Sequence, residues 1–149
     1  MFHVKHADVA DVDRVAPLFD AYRQFYDLPP DAPAAQAFIA DRLRLKDSII
    51  FLATDDTGAA LGFTQLYPAL CSLSLNRYAV LFDLFVAPAA RRLGVGKELL
   101  LRAHAYARDA GLDRLELQTA RANTAAQALY ASLGWTRDDI FSVYIWRPR

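Results

Sequence analysis

The segment that most constrains the fold is an apolar strand, a basic glycine-rich turn and an amphipathic helix, which follow one another without a break over residues 84–100. Gly94 and Gly96 allow the main chain to approach a ligand closely and to direct successive N–H groups at it. The positive end of the following helix favours negative charge at the same place. The turn also carries formal charge on Arg91, Arg92 and Lys97. The order of these elements therefore predicts a site for a pyrophosphate.

Two other phosphate-binding glycine motifs do not match this chain. Residues 94–99 lack the third glycine of the dinucleotide-binding fingerprint. The sequence also contains no Gly-x-x-x-x-Gly-Lys-(Ser/Thr) run, which forms the phosphate loop of nucleoside triphosphatases. The turn is therefore interpreted by its strand–turn–helix context rather than by either motif.

The length and composition are those of one globular domain. The chain has 149 residues, of which 54% are hydrophobic and 23% are charged, and a chain of this size buries enough surface for a single core. No apolar run approaches the ~20 residues that span a bilayer, and the first residues lack the features of a secretory signal. We therefore expect one domain over residues 1–149, located in the cytoplasm and without a membrane partner.

Charge and ligand-type residues argue against several functions. Lys and Arg number 17, as do Asp and Glu, so no overall field attracts nucleic acid, and we expect no nucleic-acid partner. Cys71 is the only cysteine, which excludes an internal disulfide and predicts an inert, partly buried thiol. The histidines have no zinc-binding spacing, so we expect no metal; they are His3, His6 and His104.

Hydrophobic periodicity predicts the element order β-α-α-β-β-β-α-β-α-β. Asp8 or Asp11 can cap the first helix, in which Pro17 interrupts the pattern. Pro68 is expected to end a strand, with a less regular link over residues 69–77. The predicted strands cover residues 2–7, 48–54, 60–67, 78–86 and 114–119, and Trp135 and residues 141–146 supply the last extended segments. This order predicts a single sheet with helices on both faces.

Two blocks together make the chain resemble the GNAT N-acetyltransferase superfamily. The first is the turn Arg91-x-x-Gly94-x-Gly96 between a strand and a helix. The second begins at Asn123, reads Asn-x-x-Ala-x-x-Leu-Tyr-x-x-x-Gly-Trp and ends at Trp135. The resemblance covers nearly the whole chain, and the pair of motifs at this distance is far more specific than the first alone.

The resemblance implies an α/β (α+β) fold with a mixed central sheet of about six to seven strands and helices on both faces. The fourth and fifth strands, here residues 78–86 and 114–119, would splay apart and hold the pantetheine arm of acetyl-coenzyme A. It implies that main-chain groups of Phe85 and Val86 pair with the pantetheine. It also implies cofactor contacts from Asn123, which is equally suited to a plain helix N-cap, and from the turn formed by Arg91, Arg92, Leu93, Gly94, Val95, Gly96 and Lys97.

Acetyl transfer to an amine requires a neutral nitrogen, and an alkylamine is only about 0.1% neutral at pH 7.4. Asp83 and Glu116 are the candidate bases, because they lie on the two strands that would flank the slot. Asp83 stands in an apolar strand, where an unpaired carboxylate is costly unless it has a function. Its alternative is a carboxylate satisfied by main-chain amides or by an arginine.

The resemblance also implies that Tyr130 points its hydroxyl toward the thioester sulfur, where it would protonate the leaving thiolate. The alternative is a core aromatic at helical spacing with its neighbours. The main-chain N–H of Val86 is a candidate to stabilise the oxyanion. No nucleophilic side chain is needed, so we expect direct attack in a ternary complex.

Aromatic and acidic residues in the regions that form substrate pockets in this superfamily suit a cationic acceptor. The candidates are Tyr22, Tyr26, Asp27, Asp83 and Tyr144. The first helix and the fourth strand are partly similar to the branch with histone and polyamine acetyltransferases of the yeast type. The alternative is that these aromatics belong to the core.

The sequence therefore predicts an acetyl-coenzyme A dependent N-acetyltransferase acting on a small amine, such as a polyamine, or on a lysine side chain of a peptide or protein. A coenzyme A-binding regulator without catalysis is the second hypothesis. The apolar segment over residues 140–146 could be an edge strand that pairs with a second subunit, which makes a homodimer possible, or it could be covered by its own chain.

Overall fold

The computed structural model describes all 149 residues, which divide into two compact units, Met1–Gln118 and Thr119–Arg149. None of the helices is both long enough and apolar enough to cross a bilayer. Short 3-10 turns cover Val9–Asp11 and Pro88–Ala90. The strands are β1 (Phe2–His6), β2 (Ile49–Asp55), β3 (Ala60–Cys71), β4 (Asn76–Val86) and β5 (Leu115–Glu116). The α-helices are α1 (Val12–Phe25), α2 (Ala32–Leu45), α3 (Val95–Asp109) and α4 (Thr124–Ser132).

The strands of the first unit form one mixed sheet in the order β1-β2-β3-β4-β5. Neighbours from β1 to β4 are antiparallel, and β4 and β5 are parallel. The mixed sheet that the family resemblance implied is confirmed. It places β4, the strand that leads into the glycine turn, between two neighbours.

Helices cover both faces of this sheet, as predicted. Ile50 and Leu52 point from β2 into a core built with α1 and α2. Phe51 lies between them in sequence and therefore points to the other face, where its ring is 6.0 Å from the ring of Tyr106 on α3. The apolar stripes of three helices thus enclose the sheet and fix the start of α3 beside the end of β4.

The prediction that Pro68 ends a strand is wrong. β3 continues through Pro68 to Cys71, and β4 begins at Asn76. Residues 69–77, which were expected to form an irregular link, therefore belong to the two strands of a β-hairpin and its short tip. Pro68 lies opposite Ala79, whose N–H donates to the Arg114 carbonyl at 3.2 Å, away from β3. The pair is therefore one that exchanges no hydrogen bonds, and the missing N–H of proline breaks no bond to β4.

The sheet has five strands rather than the predicted six to seven. β5 contains two residues instead of residues 114–119, and neither Trp135 nor residues 141–146 form a strand. A strand requires a hydrogen-bonding neighbour as well as alternating apolar residues. The unit Thr119–Arg149 has α4 as its regular element and contains no strand that could be this neighbour.

Candidate active site

β4 and β5 separate almost as soon as they meet. Their pairing covers Ala79 with Leu115 and Val80 with Glu116. β4 then runs on to Val86 paired with β3 alone. The predicted splay of the fourth and fifth strands is confirmed, and it leaves one edge of β4 open over residues 81–86.

The end of β4 presents main-chain groups to this open edge. The N–H of Ala87 donates to the Leu61 carbonyl on β3 at 2.8 Å. Because adjacent residues of a strand direct their N–H and C=O groups to opposite edges, those of Val86 point away from β3. A Cβ on Gly62 would lie 2.7 Å from the Phe85 carbonyl oxygen. Glycine therefore permits a close approach that holds β4 against β3 and leaves its other edge available.

The turn between β4 and α3 is shaped for an anion. Arg92 and Gly94 both have positive φ, at 65° and 84°, so the peptide planes on each side are rotated relative to a regular turn. In α3 the N–H of Glu98 bonds to the Gly94 carbonyl at 3.1 Å. The N–H groups of the three preceding residues have no carbonyl one turn back to bond within the helix. They form the positive end of a 15-residue helix, which fits a pyrophosphate.

The three basic residues of the turn are not equivalent. The Arg91 guanidinium lies 5.9 Å from the Phe25 ring centre and 5.8 Å from that of Phe85. Its Nε donates to the Val86 carbonyl at 3.1 Å. Arg92 and Lys97 are exposed. Arg91 therefore braces the end of β4, while the other two offer their charge to solvent or to a ligand.

A β-bulge places Asp83 on the face that α1 and α2 cover. Gln65 pairs with Asp83 and the next residue, Leu66, pairs with Leu81, so Phe82 is an extra residue in β4. Because Gln65 and Leu66 point to opposite faces, Asp83 and Leu81 do too, although they are two positions apart. Bulges of this kind redirect side chains next to functional sites.

The Asp83 carboxylate is buried, with 3% of the residue exposed. Its Oδ2 accepts a hydrogen bond from Gln65 Nε2 at 2.8 Å. The Tyr22 hydroxyl donates to the main-chain carbonyl of Phe82 at 3.3 Å and also interacts with the carboxylate. Burial raises the pKa of Asp83, and the hydrogen bonds from Gln65 and Tyr22 offset only part of this effect. The partners are side chains, not the main-chain amides or arginine considered from sequence.

Tyr67 lies near the same carboxylate. Burial raises the pKa of Tyr67 to about 12, and the negative charge of Asp83 adds to the rise. Its ring is 5.6 Å from the ring of Phe82. Tyr67 is therefore a neutral phenol at neutral pH, and Asp83 is the group of this cluster that can ionise there.

Glu116, the second candidate base, has a different environment. It is exposed, and its Oε1 lies 2.7 Å from Arg114 Nη2 and accepts a bond from Arg114 Nε at 2.8 Å. Arg114 also lies 4.2 Å above the Tyr78 ring. The Glu116 carboxylate is already engaged by the Arg114 guanidinium, whereas Asp83 has no charged partner, so the geometry favours Asp83.

The acceptor-binding candidates of α1 form an aromatic group. The rings of Tyr22 and Tyr26 are 5.1 Å apart, and those of Phe25 and Tyr26 are 5.4 Å apart. Tyr26 is 53% exposed, so it is not a core residue. Asp27 follows with a φ of 61° in the turn after α1. Tyr22 thus lies beside both Asp83 and Tyr26, which brings three of the five candidates together.

The remaining candidates belong to the unit Thr119–Arg149. Asn123 is the N-cap of α4, and its Oδ1 accepts from the N–H of Ala126 at 3.3 Å. The Tyr130 ring lies 6.1 Å from the Trp135 ring. Tyr144 is 94% exposed. The N-cap role considered for Asn123 is therefore present in the structure.

Cys71 is partly buried, as expected, but its thiol is more acidic than an inert one. Hydrogen bonds from Ser74 and Arg114 lower the pKa of Cys71 to about 7. No histidine is among its interacting groups, so the activated pair of a covalent route is not formed. His, Cys, Asp and Glu residues nowhere gather in a group of three or more that could hold a metal ion.

Sequence reasoning missed two residues of the Asp83 cluster, Gln65 and Ser48. Gln65 is fully buried, and its Oε1 accepts from Ser48 Oγ at 2.7 Å. A signal was available for Gln65, because it is a long polar side chain in an otherwise apolar strand. Ser48 lies at a strand start, where serine is common, so no pattern distinguished it.

Residues 15–135 match the model of the acetyltransferase (GNAT) family, and the chain belongs to that family. It is 41% identical over 142 residues to the uncharacterized N-acetyltransferase YhfO of Bacillus subtilis (strain 168), and the alignment covers 95% of each protein. This chain is accordingly an acyltransferase enzyme.

Solved structures agree with this assignment. One, described as a probable acetyltransferase, is 38% identical with a TM-score of 0.93, and the match covers 99% of this chain and 98% of the other. The aminoglycoside N-acetyltransferase AAC(6')-Iy in complex with CoA is 20% identical with a TM-score of 0.81, covering 100% and 95%. The second likeness shows the fold alone. The family uses acetyl-coenzyme A as its acetyl donor.

Proposed function

We propose that the enzyme transfers the acetyl group of acetyl-coenzyme A to a primary amine of a small, polyamine-like molecule or to a lysine side chain, in the cytoplasm and by direct attack in a ternary complex. The observation that carries the proposal is Asp83, a buried carboxylate whose pKa is raised. It lies three residues before Val86, at the open edge of β4 that leads into the anion-binding turn.

The residues present fit acetyl-coenzyme A, which supplies an activated thioester when bound. Main-chain groups of Val86 would pair with its pantetheine arm at the open edge of β4, whereas the Phe85 carbonyl faces Gly62 on β3. The turn from Arg91 through Arg92, Leu93, Gly94, Val95 and Gly96 to Lys97 would hold its pyrophosphate on helix N–H groups and positive charge. Asn123 would contact it from the start of α4, in addition to capping that helix.

Asp83 would accept the proton of the acceptor amine. A general base works best when its pKa lies near the operating pH, and burial moves the pKa of Asp83 upward from that of an ordinary carboxylate. The carboxylate would also attract the protonated amine before the transfer, since both charges lose water in the site. Glu116 is the second candidate, and its ion pair with Arg114 makes it the weaker one.

Tyr130 would protonate the thiolate that leaves, and the Val86 N–H would stabilise the oxyanion. The support for Tyr130 is its place in the motif that begins at Asn123. A phenol can donate a hydrogen bond to the sulfur while the C–S bond breaks and then transfer its proton to the thiolate that leaves.

The acceptor would be a cation of modest size. Tyr22 and Tyr26 offer the faces of their rings. Asp83 offers negative charge on the face of the sheet that α1 covers, and Asp27 offers it in the turn after α1. Aromatic faces and carboxylates together select an ammonium group. Tyr144, which is 94% exposed, is a further candidate contact from the C-terminal unit.

The single glycine with positive φ in the turn provides a test of CoA binding. Gly94→Ala is expected to weaken CoA binding by about tenfold, because alanine in the left-handed conformation costs about 1–2 kcal/mol and the turn would relax from it. Isothermal titration with CoA measures the effect.

Gly111→Ala is the matched control. Gly111 also has a positive φ, of 65°, and an added Cβ would meet nothing within 4 Å, but this residue follows the far end of α3 and is not part of the turn of residues 91–97. Its CoA affinity should remain close to that of the unchanged protein. Equal affinities for both variants would show that the φ of residue 94 does not shape the site.

The function itself is tested by free-thiol release from acetyl-coenzyme A in the presence of spermidine, lysine peptides, amino acids and aminoglycosides. We expect release with spermidine or with lysine peptides, and mass spectrometry should find the acetyl group on an amine. CoA binding without transfer to any amine of the panel would favour the second hypothesis, a regulator that binds CoA.

We also treat residues 1–149 as one acetyltransferase domain, since the family match over residues 15–135 crosses the boundary between the two units.

A homodimer is part of the proposal. The C-terminal unit exposes between 68% and 94% of six large apolar side chains, and monomers rarely leave such a patch uncovered. These residues are Ile140, Phe141, Val143, Tyr144, Ile145 and Trp146. Sedimentation equilibrium would distinguish a dimer from a monomer.

A further inference from the structure

We propose that Gln65 is a positioning residue that fixes the Asp83 carboxylate by donating a hydrogen bond to it, and that Ser48 holds the Gln65 amide in place. The inference rests on the proposed function only in assigning Asp83 the role of base. The contacts that carry it are Ser48 Oγ to Gln65 Oε1 at 2.7 Å and Gln65 Nε2 to Asp83 Oδ2 at 2.8 Å.

The two ends of the Gln65 amide have different partners, and only one orientation satisfies both. The hydroxyl of Ser48 donates to the amide oxygen, which leaves the NH2 group to donate to the carboxylate. A reversed amide would place its oxygen against the Asp83 oxygens, which are acceptors when ionised. The ionised carboxylate therefore selects the orientation in which Gln65 presents a donor to it, and the Ser48 hydroxyl stabilises that orientation by donating to the amide oxygen.

The burial of Gln65 argues that this contact has a purpose beyond packing. Gln65 is 0% exposed, and a buried amide costs free energy unless it is hydrogen-bonded. An apolar residue of similar size would fill the same space in β3 without that requirement. The amide is opposite Asp83 immediately before the bulge at Phe82, so its position is set by the same irregularity that directs the carboxylate.

Ser48 is held in place by the link between α2 and β2. Lys46, the C-cap residue of α2, has the left-handed conformation, with a φ of 53°. Asp47 Oδ1 accepts from Arg42 Nε at 2.7 Å. The hydroxyl of the next residue thus projects from a constrained segment, and it can orient Gln65 without large loss of side-chain freedom.

The groups that face the Asp83 carboxylate come from two elements. α1 contributes Tyr22, β3 contributes Gln65 and the neutral phenol of Tyr67, and the carboxylate itself is on β4. The charges of Arg42 and Asp47 act on Tyr67 with opposite signs. Gln65 donates to Oδ2, and the Tyr22 hydroxyl also interacts with the carboxylate.

The test measures the titration of Asp83 directly in the folded enzyme. Side-chain carboxyl 13C NMR follows the Asp83 signal against pH, and Asp83→Asn assigns that signal by its disappearance. Gln65→Leu should move the midpoint upward by about one pH unit, because the ionised form loses a hydrogen-bond donor. Ser48→Ala should move it in the same direction by less.

Thr64→Val is the matched control. Thr64 is also fully buried on β3 and its hydroxyl donates to the main-chain carbonyl of Asp83 at 2.8 Å, so it touches the same residue without touching the carboxylate. The midpoint of the Asp83 titration in the Thr64→Val variant should match that in the unchanged protein. If Gln65→Leu does not fold, the Asp83 midpoint in Ser48→Ala provides the test.

A midpoint that stays in place in Ser48→Ala and Gln65→Leu would overturn the inference. An upward shift would support it, and the pH profile of kcat/KM then tests the base role separately. The acid limb should move upward together with the NMR midpoint. An NMR shift with an unmoved limb would support Gln65 as the positioning residue but would remove Asp83 from the proposed mechanism.

Discussion

Asp83→Asn is expected to lower kcat/KM by about 10²–10³-fold, which is the usual contribution of a positioned general base. The side chain keeps its shape and its bond from Gln65, but it can no longer accept a proton or attract an ammonium group. Steady-state kinetics with acetyl-coenzyme A and the best amine of the panel measures the change. Asp109→Asn removes the same charge from an exposed position in α3 and should leave kcat/KM unchanged.

Asp83→Asn should also increase the free energy of unfolding, so a loss of activity in this variant can be distinguished from a loss of folded structure. The pKa of Asp83 is raised in the folded state, so folding favours the protonated acid. Below pH ~3.9, the pKa of an Asp carboxyl in the unfolded chain, Asp83 is protonated in both states and no charge is buried. The free energy of unfolding then decreases as the pH rises from there through the pKa of Asp83 in the folded state. Asn carries no charge and avoids this loss.

Urea unfolding at several pH values should therefore show Asp83→Asn gaining over the unchanged protein as the pH rises toward neutrality. A variant with unchanged kcat/KM would remove Asp83 from the chemistry. A variant that lost both activity and stability would indicate that Asp83 is structural, since the loss of turnover would then follow from a damaged fold.

Tyr130→Phe is expected to lower kcat by about 10²-fold, the scale of a general acid, while CoA affinity changes little. Phenylalanine retains the ring that packs 6.1 Å from the Trp135 ring, so only the hydroxyl is lost. Kinetics gives kcat, and titration calorimetry with CoA gives the affinity.

The matched control is Tyr106→Phe. The Tyr106 ring packs 6.0 Å from that of Phe51 on the α3 face of the sheet, and phenylalanine retains that packing. Its kcat should match that of the unchanged protein. Equal turnover in Tyr130→Phe and the unchanged protein would exclude Tyr130 as the acid.

Much of the fold could be predicted from the sequence because its strongest signals are local. The helical spacing of apolar residues predicted four helices, and the structure contains them as α1 to α4. The arrangement of Pro68 could not be predicted, because whether a missing N–H matters depends on which pairs of β3 and β4 exchange hydrogen bonds.

Strand partners explain most of the remaining differences. Residues 141–146 alternate as a strand should, but a strand also needs a neighbour, and the pattern does not contain that information. β5 is short because it leaves β4 after Val80. The separation itself was predicted from the family resemblance, whereas its position along the strand was not.

The candidate site shows the same division. Asp83 could be singled out because a carboxylate within an apolar strand is expensive. Gln65 also stands out as a long polar side chain in its strand, but its pairing with Asp83 could not be predicted, because the register that places the two residues opposite each other includes a bulge at Phe82. A shift of one residue would direct Asp83 to the other face, so the chemistry of the site depends on a feature that only the three-dimensional pairing reveals.

Titration calorimetry of the purified protein with CoA tests the central claim most directly, since every proposed step takes place beside the turn of residues 91–97. We predict saturable one-to-one binding that weakens in Gly94→Ala and is retained in Gly111→Ala and Tyr130→Phe. The absence of measurable binding by the unchanged protein would contradict the account, because neither the open edge of β4 nor Asp83 would then have an acetyl donor to serve.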